Sequence, residues 1–318
     1  AGMRDILKKL ALLALPVAAY FCVFAAFEPN NYFGLKASTS SEAPVARLKS
    51  YAAAPGERII VGDSRLAHFD MEQVEEVSGR PWQNLAFGGA SLREGVDVVN
   101  WALEQNPDLE EVVFGLSFYT GTETYDADRM STLEKTLTNP LAYMFNLEYN
   151  VNMLTALSER LRGIPGGAAE ETGDWTYPED YTGPDGTVYQ LHARLATYPE
   201  ALVPRCKGWR LNEEQLARFC EMAAACREKG VELTVVLPPM ADIVLTDACM
   251  PYGIDEAMAA EFLPRLAEWA GEYGFAVLDY EWANRPDFDD DKQFFDGFHL
   301  DTRYGLPQWV DQLFTDIG

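Results

Sequence analysis

Arg58-Ile59-Ile60-Val61-Gly62-Asp63-Ser64-Arg65 is the stretch on which the reading of the chain turns. Ile59, Ile60 and Val61 are consecutive and β-branched, which predicts a strand buried on both faces. Gly62 lets the chain turn sharply where that strand ends. Ser64 then stands at the carboxyl end of a central strand, where open α/β sheets bind their ligands. A serine in that place is a candidate nucleophile if a base can reach it. Asp296-Gly297-Phe298-His299, near the other end of the chain, offers one. Three residues separate Asp296 from His299, so one tight loop can join them, and glycine at 297 gives that loop the freedom to form.

Outward from Ser64 the pattern alternates between strand and helix. Met71 to Val77 is a short helical stretch and Trp82 to Phe87 a second strand, ended by Gly88-Gly89. Ser91 and Glu94 form a capping-box pattern at the head of a helix reaching Glu104. Glu111 to Leu116 is the third strand. Asn212 caps a helix through Lys229, Val231 to Leu237 is the fourth strand, Asp255 to Tyr273 a helix, and Phe275 to Tyr280 the fifth strand. Thr302 to Ile317 is the last helix, with its start expected only after the helix-unfriendly Gly305 and Pro307. Apolar strands alternating with helices imply an α/β three-layer sandwich with a five-stranded parallel sheet. A large insertion, 120–210, follows the third strand. It is expected to carry a helix from Leu147 to Leu161 and a loop-rich part through Pro204. Trp175, Tyr177 and Tyr181 within it suit stacking on sugar rings, and equally suit stapling a long loop.

The formal net charge is -25 over 318 residues. That argues against a nucleic-acid partner, since phosphate binding needs a basic surface. Arg4, Lys8 and Lys9 form a basic flank, 1–9, ahead of an uncharged run, 10–27 (LALLALPVAAYFCVFAAF), at the short end of what spans a bilayer. The flank should stay cytoplasmic and place the remainder outside, as a single-pass anchor of the cell membrane. A cleaved signal peptide is the other reading. Residues 28–56 read as a linker and 57–318 as the globular domain. Cys22 lies in the apolar run; Cys206, Cys220, Cys226 and Cys249 lie beyond it without metal-ligand spacing. An exported protein can pair cysteines, and buried free thiols fit these positions as well.

Acyl transfer by serine needs a hydroxyl, a base and donors for an oxyanion. Ser64 supplies the hydroxyl. His299 would take its proton, because imidazole titrates near neutral pH, and Asp296 would orient and stabilise the imidazolium. Of the other two histidines, His68 lies one turn past Ser64, and His192 has no acid within four residues. The chemistry calls for no cofactor and no metal.

Gly-Asp-Ser early and Asp-x-x-His late, in this order, resemble the SGNH (GDSL-type) hydrolase family from about Arg58 to the C-terminus. The resemblance implies a flavodoxin-like sheet and a Ser64–His299–Asp296 triad. The family's second block, Asn-x-Gly-x-x-Gly, is similar to Asn84-Leu85-Ala86-Phe87-Gly88-Gly89, with Ala86 for the first glycine. It implies an oxyanion donor at Gly89, beside the backbone N–H of Ser64. The third block, Gly-x-Asn-Asp, meets Gly115-Leu116-Ser117-Phe118, so Ser117 stands where the family has its asparagine, and the resemblance implies its hydroxyl as the third oxyanion donor, with a shorter reach. Anchor, insertion and the NLAFGGAS phrase together resemble the membrane-anchored members that modify cell-surface polymers, the D-alanyl transfer protein of teichoic acids and the alginate O-acetylation proteins. That likeness implies serine-dependent acyl transfer to a surface glycopolymer beside a multi-spanning membrane O-acyltransferase. An exported carbohydrate or lipid esterase and a non-catalytic surface module that docks an acyltransferase are the alternatives.

Overall fold

The computed structural model describes residues 2–35, 43–162 and 191–318. In chain order its elements are α1 (Met3–Phe27), α2 (Pro44–Ala53), β1 (Arg58–Val61), α3 (Ser64–Ala67), α4 (Met71–Ser78), β2 (Gln83–Asn84), α5 (Leu92–Gln105) and β3 (Glu111–Gly115). There follow α6 (Met130–Thr138), α7 (Pro140–Met144), α8 (Leu147–Leu161), α9 (Leu191–Cys206), α10 (Glu213–Lys229) and β4 (Glu232–Leu237). Last come α11 (Asp242–Val244), α12 (Ile254–Ala257), α13 (Leu263–Tyr273), β5 (Ala276–Asp279), α14 (Asp290–Gln293) and α15 (Gly305–Ile317). The described residues fall into two units, one of 2–35, 43–49 and 131–162, the other of 50–130 and 191–318.

In the second unit the five strands form one all-parallel sheet in the order β2-β1-β3-β4-β5. Side chains alternate between its faces. Ile60, Val113 and Val236 pack with Val74 of α4 and with Trp309, Val310 and Phe314 of α15. Phe114 points the other way, against Phe219 of α10 and the bare backbone of Gly95 in α5. Helices therefore cover both faces, and the expected α/β class with a five-stranded parallel sheet is what is found. Strand order reverses at β1 and β3, which opens the crevice where such sheets bind ligands. There two glycines meet: a Cβ on Gly62 would lie 3.3 Å from Gly115 Cα, and one on Gly115 would lie 2.9 Å from Leu66 Cδ1.

Four expectations need correction. The second strand is shorter than Trp82 to Phe87, since among the described residues it pairs with β1 alone; Leu85 N–H still donates to Ile60 O (2.8 Å) and Phe87 N–H to Gly62 O (3.1 Å). The linker 28–56 contains α2, whose Val45, Leu48 and Tyr51 are buried at helical spacing. The helix expected over Asp255 to Tyr273 is interrupted by a π turn, Met258–Phe262, ahead of Pro264. Proline lacks an N–H and its ring crowds the preceding turn, so that turn opens. The last helix starts at Gly305, not after Pro307. First-turn N–H groups have no intrahelical acceptor, so proline is tolerated there. Gly305 is required for space: a Cβ would lie 2.0 Å from Gln293 O.

The insertion 120–210 does not form one piece. Its residues 131–162 belong to the first unit, where α8 packs along α1. Phe24 of α1 is fully buried there and meets Tyr143 edge-on, with ring centroids 5.6 Å apart. Tyr143 stacks on Tyr32 at 3.9 Å, donates to Glu28 Oε2 (2.8 Å) and accepts from Asn30 Nδ2 (3.0 Å). The part expected to be loop-rich through Pro204 instead holds α9, despite Pro199 and Pro204. Leu202 and Cys206, one turn apart, are buried, and that apolar face outweighs the hydrogen bonds the prolines remove. Trp175, Tyr177 and Tyr181 lie outside the described residues. All five cysteines are free. Burial pushes the Cys206 and Cys220 thiols up to about 11 and Cys226 to about 12.

Candidate active site

Ser64 is the first residue of α3, directly after the turn that leaves β1. Asp63 caps this helix, its side chain accepting the Arg65 N–H at 2.9 Å. The first N–H groups of a helix have no partner within it, so the Ser64 N–H is a spare donor at the sheet's carboxyl edge. Asp63 and Arg65 are buried and Ser64 is partly exposed. The turn thus buries both flanking side chains and presents the hydroxyl.

The loop from Asp296 to His299 is ordered by its own carboxylate. Asp296 Oδ1 accepts the N–H of Phe298 and of His299, both at 2.8 Å, while Oδ2 meets His299 Nδ1 at 2.8 Å. With Nδ1–H donated to Asp296, Nε2 carries the lone pair, and it lies 2.8 Å from Ser64 Oγ. Ser64 and His299, 235 positions apart in the sequence, are thereby joined in one proton path. Burial pushes Asp296 up, but the nearby His299 ring and three hydrogen bonds outweigh it and hold the carboxyl below its ordinary value. A charged Asp296 suits a histidine that must accept a proton. Gly297 is needed here for room and not for flexibility. Its backbone C=O accepts from Ala241 N–H at 2.9 Å, and a Cβ would lie 2.4 Å from Tyr198 Cδ1 and 2.6 Å from Val244 Cγ2.

Gly89 takes a left-handed conformation, φ +66°, open to glycine at little cost. Arg129 donates to Gly88 O (3.2 Å) and Gly89 O (3.0 Å), and Glu94, fully buried, grips Arg129 through Nε (2.7 Å) and Nη2 (2.8 Å). A trans peptide sets C=O and N–H on opposite sides, so the Gly89 N–H points away from Arg129. Glu94 also completes the capping box with Ser91, so one carboxylate sets both the head of α5 and this turn. The Tyr125 hydroxyl lies 3.3 Å from where a Gly89 Cβ would be. Asn84 does not serve as a free donor: its amide donates to Leu66 O at 2.8 Å and ties the turn after Ser64 to β2.

Ser117 does not offer the donor expected of it. It is 1% exposed, and its hydroxyl donates to Glu281 Oε1 at 2.5 Å. A hydroxyl has one proton to give, so this one is spent inside the protein and not on an oxyanion. Glu281 also accepts the Phe118 N–H (3.2 Å), Trp282 Nε1–H (2.8 Å) and an Arg65 Nη1–H (3.3 Å). Arg65 is shared with Asp63 (Nη2 to Oδ2, 2.9 Å), to which the Tyr119 hydroxyl also donates. Two buried carboxylates thus divide one guanidinium. Asp63 receives the closer share: burial pushes it up, yet Arg65 and its hydrogen bonds hold it below its ordinary value. Burial pushes Glu281 up to about 7, against the pull of the more distant side of Arg65.

Phe298 stacks on Tyr119 at 4.9 Å and meets Tyr198 of α9 edge-on at 5.4 Å, so α9 walls the histidine loop. Arg205 of the same helix lies 4.8 Å from the centre of the Tyr125 ring. His68 ends α3 and His192 falls in α9; the ring 2.8 Å from Ser64 Oγ is that of His299. Glu281, Arg129, Tyr125 and Tyr198 escaped the sequence reading. Only Arg65 left a local trace, as a cation next to the nucleophile. No protein-family model matches the chain, and a search of curated proteins finds no match.

Proposed function

We propose that this protein is a membrane-anchored, extracytoplasmic acyltransferase of the SGNH type that moves an acyl group through Ser64 to a hydroxyl of a cell-surface glycopolymer. The reading rests on one observation, the unbroken path from Ser64 Oγ through the His299 ring to Asp296, each contact 2.8 Å. In the first half-reaction His299 Nε2 takes the Ser64 proton as Oγ bonds to the acyl carbon, then gives it to the donor's leaving group as the bond between acyl carbon and leaving group breaks. In the second, a polymer hydroxyl gives its proton to His299 as its oxygen bonds to the acyl carbon, and His299 passes that proton to Ser64 Oγ as the acyl–Oγ bond breaks, restoring the free serine. The Ser64 and Gly89 N–H groups would stabilise the tetrahedral oxyanion. With Ser117 committed to Glu281, no asparagine-type donor joins them, which favours a site that relies on a held acceptor over one built for fast hydrolysis.

The anchor reading draws support from α1. It is long and apolar enough to cross a membrane, by length and composition. Cleavage beyond its apolar run would strip the first unit of Phe24, a fully buried ring. Burying such a side chain contributes about 1.5–3 kcal/mol, so a retained helix fits better than a discarded signal. A donor delivered through the bilayer by a multi-spanning O-acyltransferase would reach such an anchored site.

A fluorophosphonate probe should label the protein on Ser64, and Ser64→Ala should abolish labelling. Equal labelling of the variant would remove the nucleophile. Ester turnover measured with and without a glycan acceptor then separates the readings: stimulation by acceptor supports transfer, rapid hydrolysis indifferent to acceptor indicates a plain esterase, and no adduct under any condition indicates a non-catalytic module.

A further inference from the structure

The helix α8 has three faces. Tyr149 and Met153 are buried. Glu148, Asn152 and Thr155 line a polar side. Leu147, Val151, Leu154 and Leu161 recur at helical spacing on a third side and are exposed, and Leu141 of α7 and Phe145, which ends that helix, continue the stripe. These six side chains are between 51 and 80% exposed. A helix that already packs one face and still shows an apolar stripe beside a polar one is built for a boundary between two media.

Its register along α1 says which boundary. Tyr20 donates to Asn150 Oδ1, and Phe21 meets Phe145 edge-on with ring centroids 5.0 Å apart. At the other end of α8 the Arg160 guanidinium lies 5.7 Å from the Phe27 ring. Phe21 precedes Phe27 by about 9 Å along a helix axis, at the ordinary rise per residue. If the run ending at Phe27 lies in hydrocarbon, the α7–α8 corner sits about 9 Å inside it, within the ~5–10 Å to which interfacial helices sink. The basic end of α8, Arg160 and Arg162, stays at headgroup level. The Asn150 amide at the corner is satisfied internally, as lipid requires, with Nδ2 donating to Met144 O (2.8 Å) and Asn146 O (2.6 Å), while the exposed Glu148 lies on the polar side of α8, away from the stripe. An open crevice of about 350 Å³, lined by Pro16, Val17, Phe21 and Met144 among others, lies at the same depth and has room for an acyl chain.

We propose that the α7–α8 hairpin is a second membrane contact, its apolar stripe lodged among the acyl chains of the leaflet at the C-terminal end of α1. The proposal rests on the reading of α1 as a retained anchor. Three observations carry it: the stripe, its level against α1, and the apolar continuity of the two surfaces.

Nitroxides at Leu147→Cys and Leu154→Cys, in the full chain with Cys22→Ser and Cys220→Ser, test it in vesicles of dioleoyl phosphatidylcholine and phosphatidylglycerol at 3:1. The readout is the ratio of collision with oxygen, which dissolves in lipid, to collision with a water-soluble nickel chelate. Leu13→Cys serves as the anchor control and Met250→Cys as the aqueous control. The expected ratios at 147 and 154 are several-fold above that at 250 and close to that at 13. Aqueous values at 147 and 154 with a lipid value at 13 would overturn the second contact and leave the anchor standing. Aqueous values at all three would overturn both. Protection from both reagents at 147 and 154 would assign the stripe to a protein partner, here a second copy, and overturn the lipid assignment.

Discussion

Gly297→Ala places one methyl group where the structure has no room for it. Its Cβ would lie 2.4 Å from Tyr198 Cδ1 and 2.6 Å from Val244 Cγ2. Carbon atoms in contact sit about 3.5–4.0 Å apart, so the loop or its neighbours must yield by roughly 1 Å. Overpacking of this kind costs about 1–3 kcal/mol of stability. Val244 is fully buried and cannot retreat, so the Asp296–His299 loop has to take up the displacement. A misplacement of about 1 Å in a reacting group costs on the order of 10²-fold in rate. The second-order rate of Ser64 labelling by a fluorophosphonate should therefore fall about 100-fold, with a lower thermal midpoint. The same substitution in a Tyr198→Ala, Val244→Ala background should cost less than about tenfold, since the obstructing atoms are gone. Labelling at the wild-type rate, or an equal penalty in both backgrounds, would refute the steric reasoning.

Three further outcomes are expected. Asp296→Asn keeps the loop's shape but loses the carboxylate that fixes the His299 tautomer, so labelling of Ser64 should slow by about 10⁴-fold with little loss of stability; a drop below tenfold would mean that the carboxylate does not orient the ring. Arg65→Met leaves Asp63 and Glu281 buried without their shared cation, and urea unfolding should show a loss of about 3–5 kcal/mol at pH 8 that shrinks at pH 5, where the acids can take up protons; a pH-independent loss would assign the effect to packing. Glu281 has its carboxyl raised by burial from 4.5 to about 7, so the folded state binds its proton more tightly, and the stability this gives is full below pH 4.5 and lost as pH rises through 7. Glu281→Gln cannot titrate, so wild-type stability relative to this variant should fall by about 3 kcal/mol between pH 4.5 and pH 8, and parallel curves would show that Glu281 does not titrate in that window.

The sheet was legible because its evidence is local. Consecutive β-branched residues in β1 and β3, and the Ser91/Glu94 capping box of α5, can be read within a few positions. So can the triad, since Asp296 and His299 sit in one turn and Ser64 at a strand exit. The insertion was not legible. Pro199 and Pro204 argue locally for loop, and only the buried face of Leu202 and Cys206 reverses that. Nor does any local pattern tie Phe24 to Tyr143, or Ser117 to a carboxylate 164 residues away. Ser117 illustrates the limit of reasoning by position: it occupies the expected place in the chain, but a partner distant in sequence takes its only proton. Gly297 illustrates another, where glycine read as freedom is in fact an allowance for a neighbour's ring.

The five free thiols bear on where this chain can mature. A domain beyond the membrane commonly owes about 2–4 kcal/mol to a disulfide and waits on oxidising machinery to form it. This chain has no such bond. Cys206, Cys226 and Cys249 are buried, and desolvation keeps their thiolates scarce at neutral pH, so oxidants and exchange partners find little to react with. With no disulfide to reduce, the unfolding curve should not move when reductant is added. The same fold would then be reached on either side of a membrane, whether or not thiol oxidases are at hand.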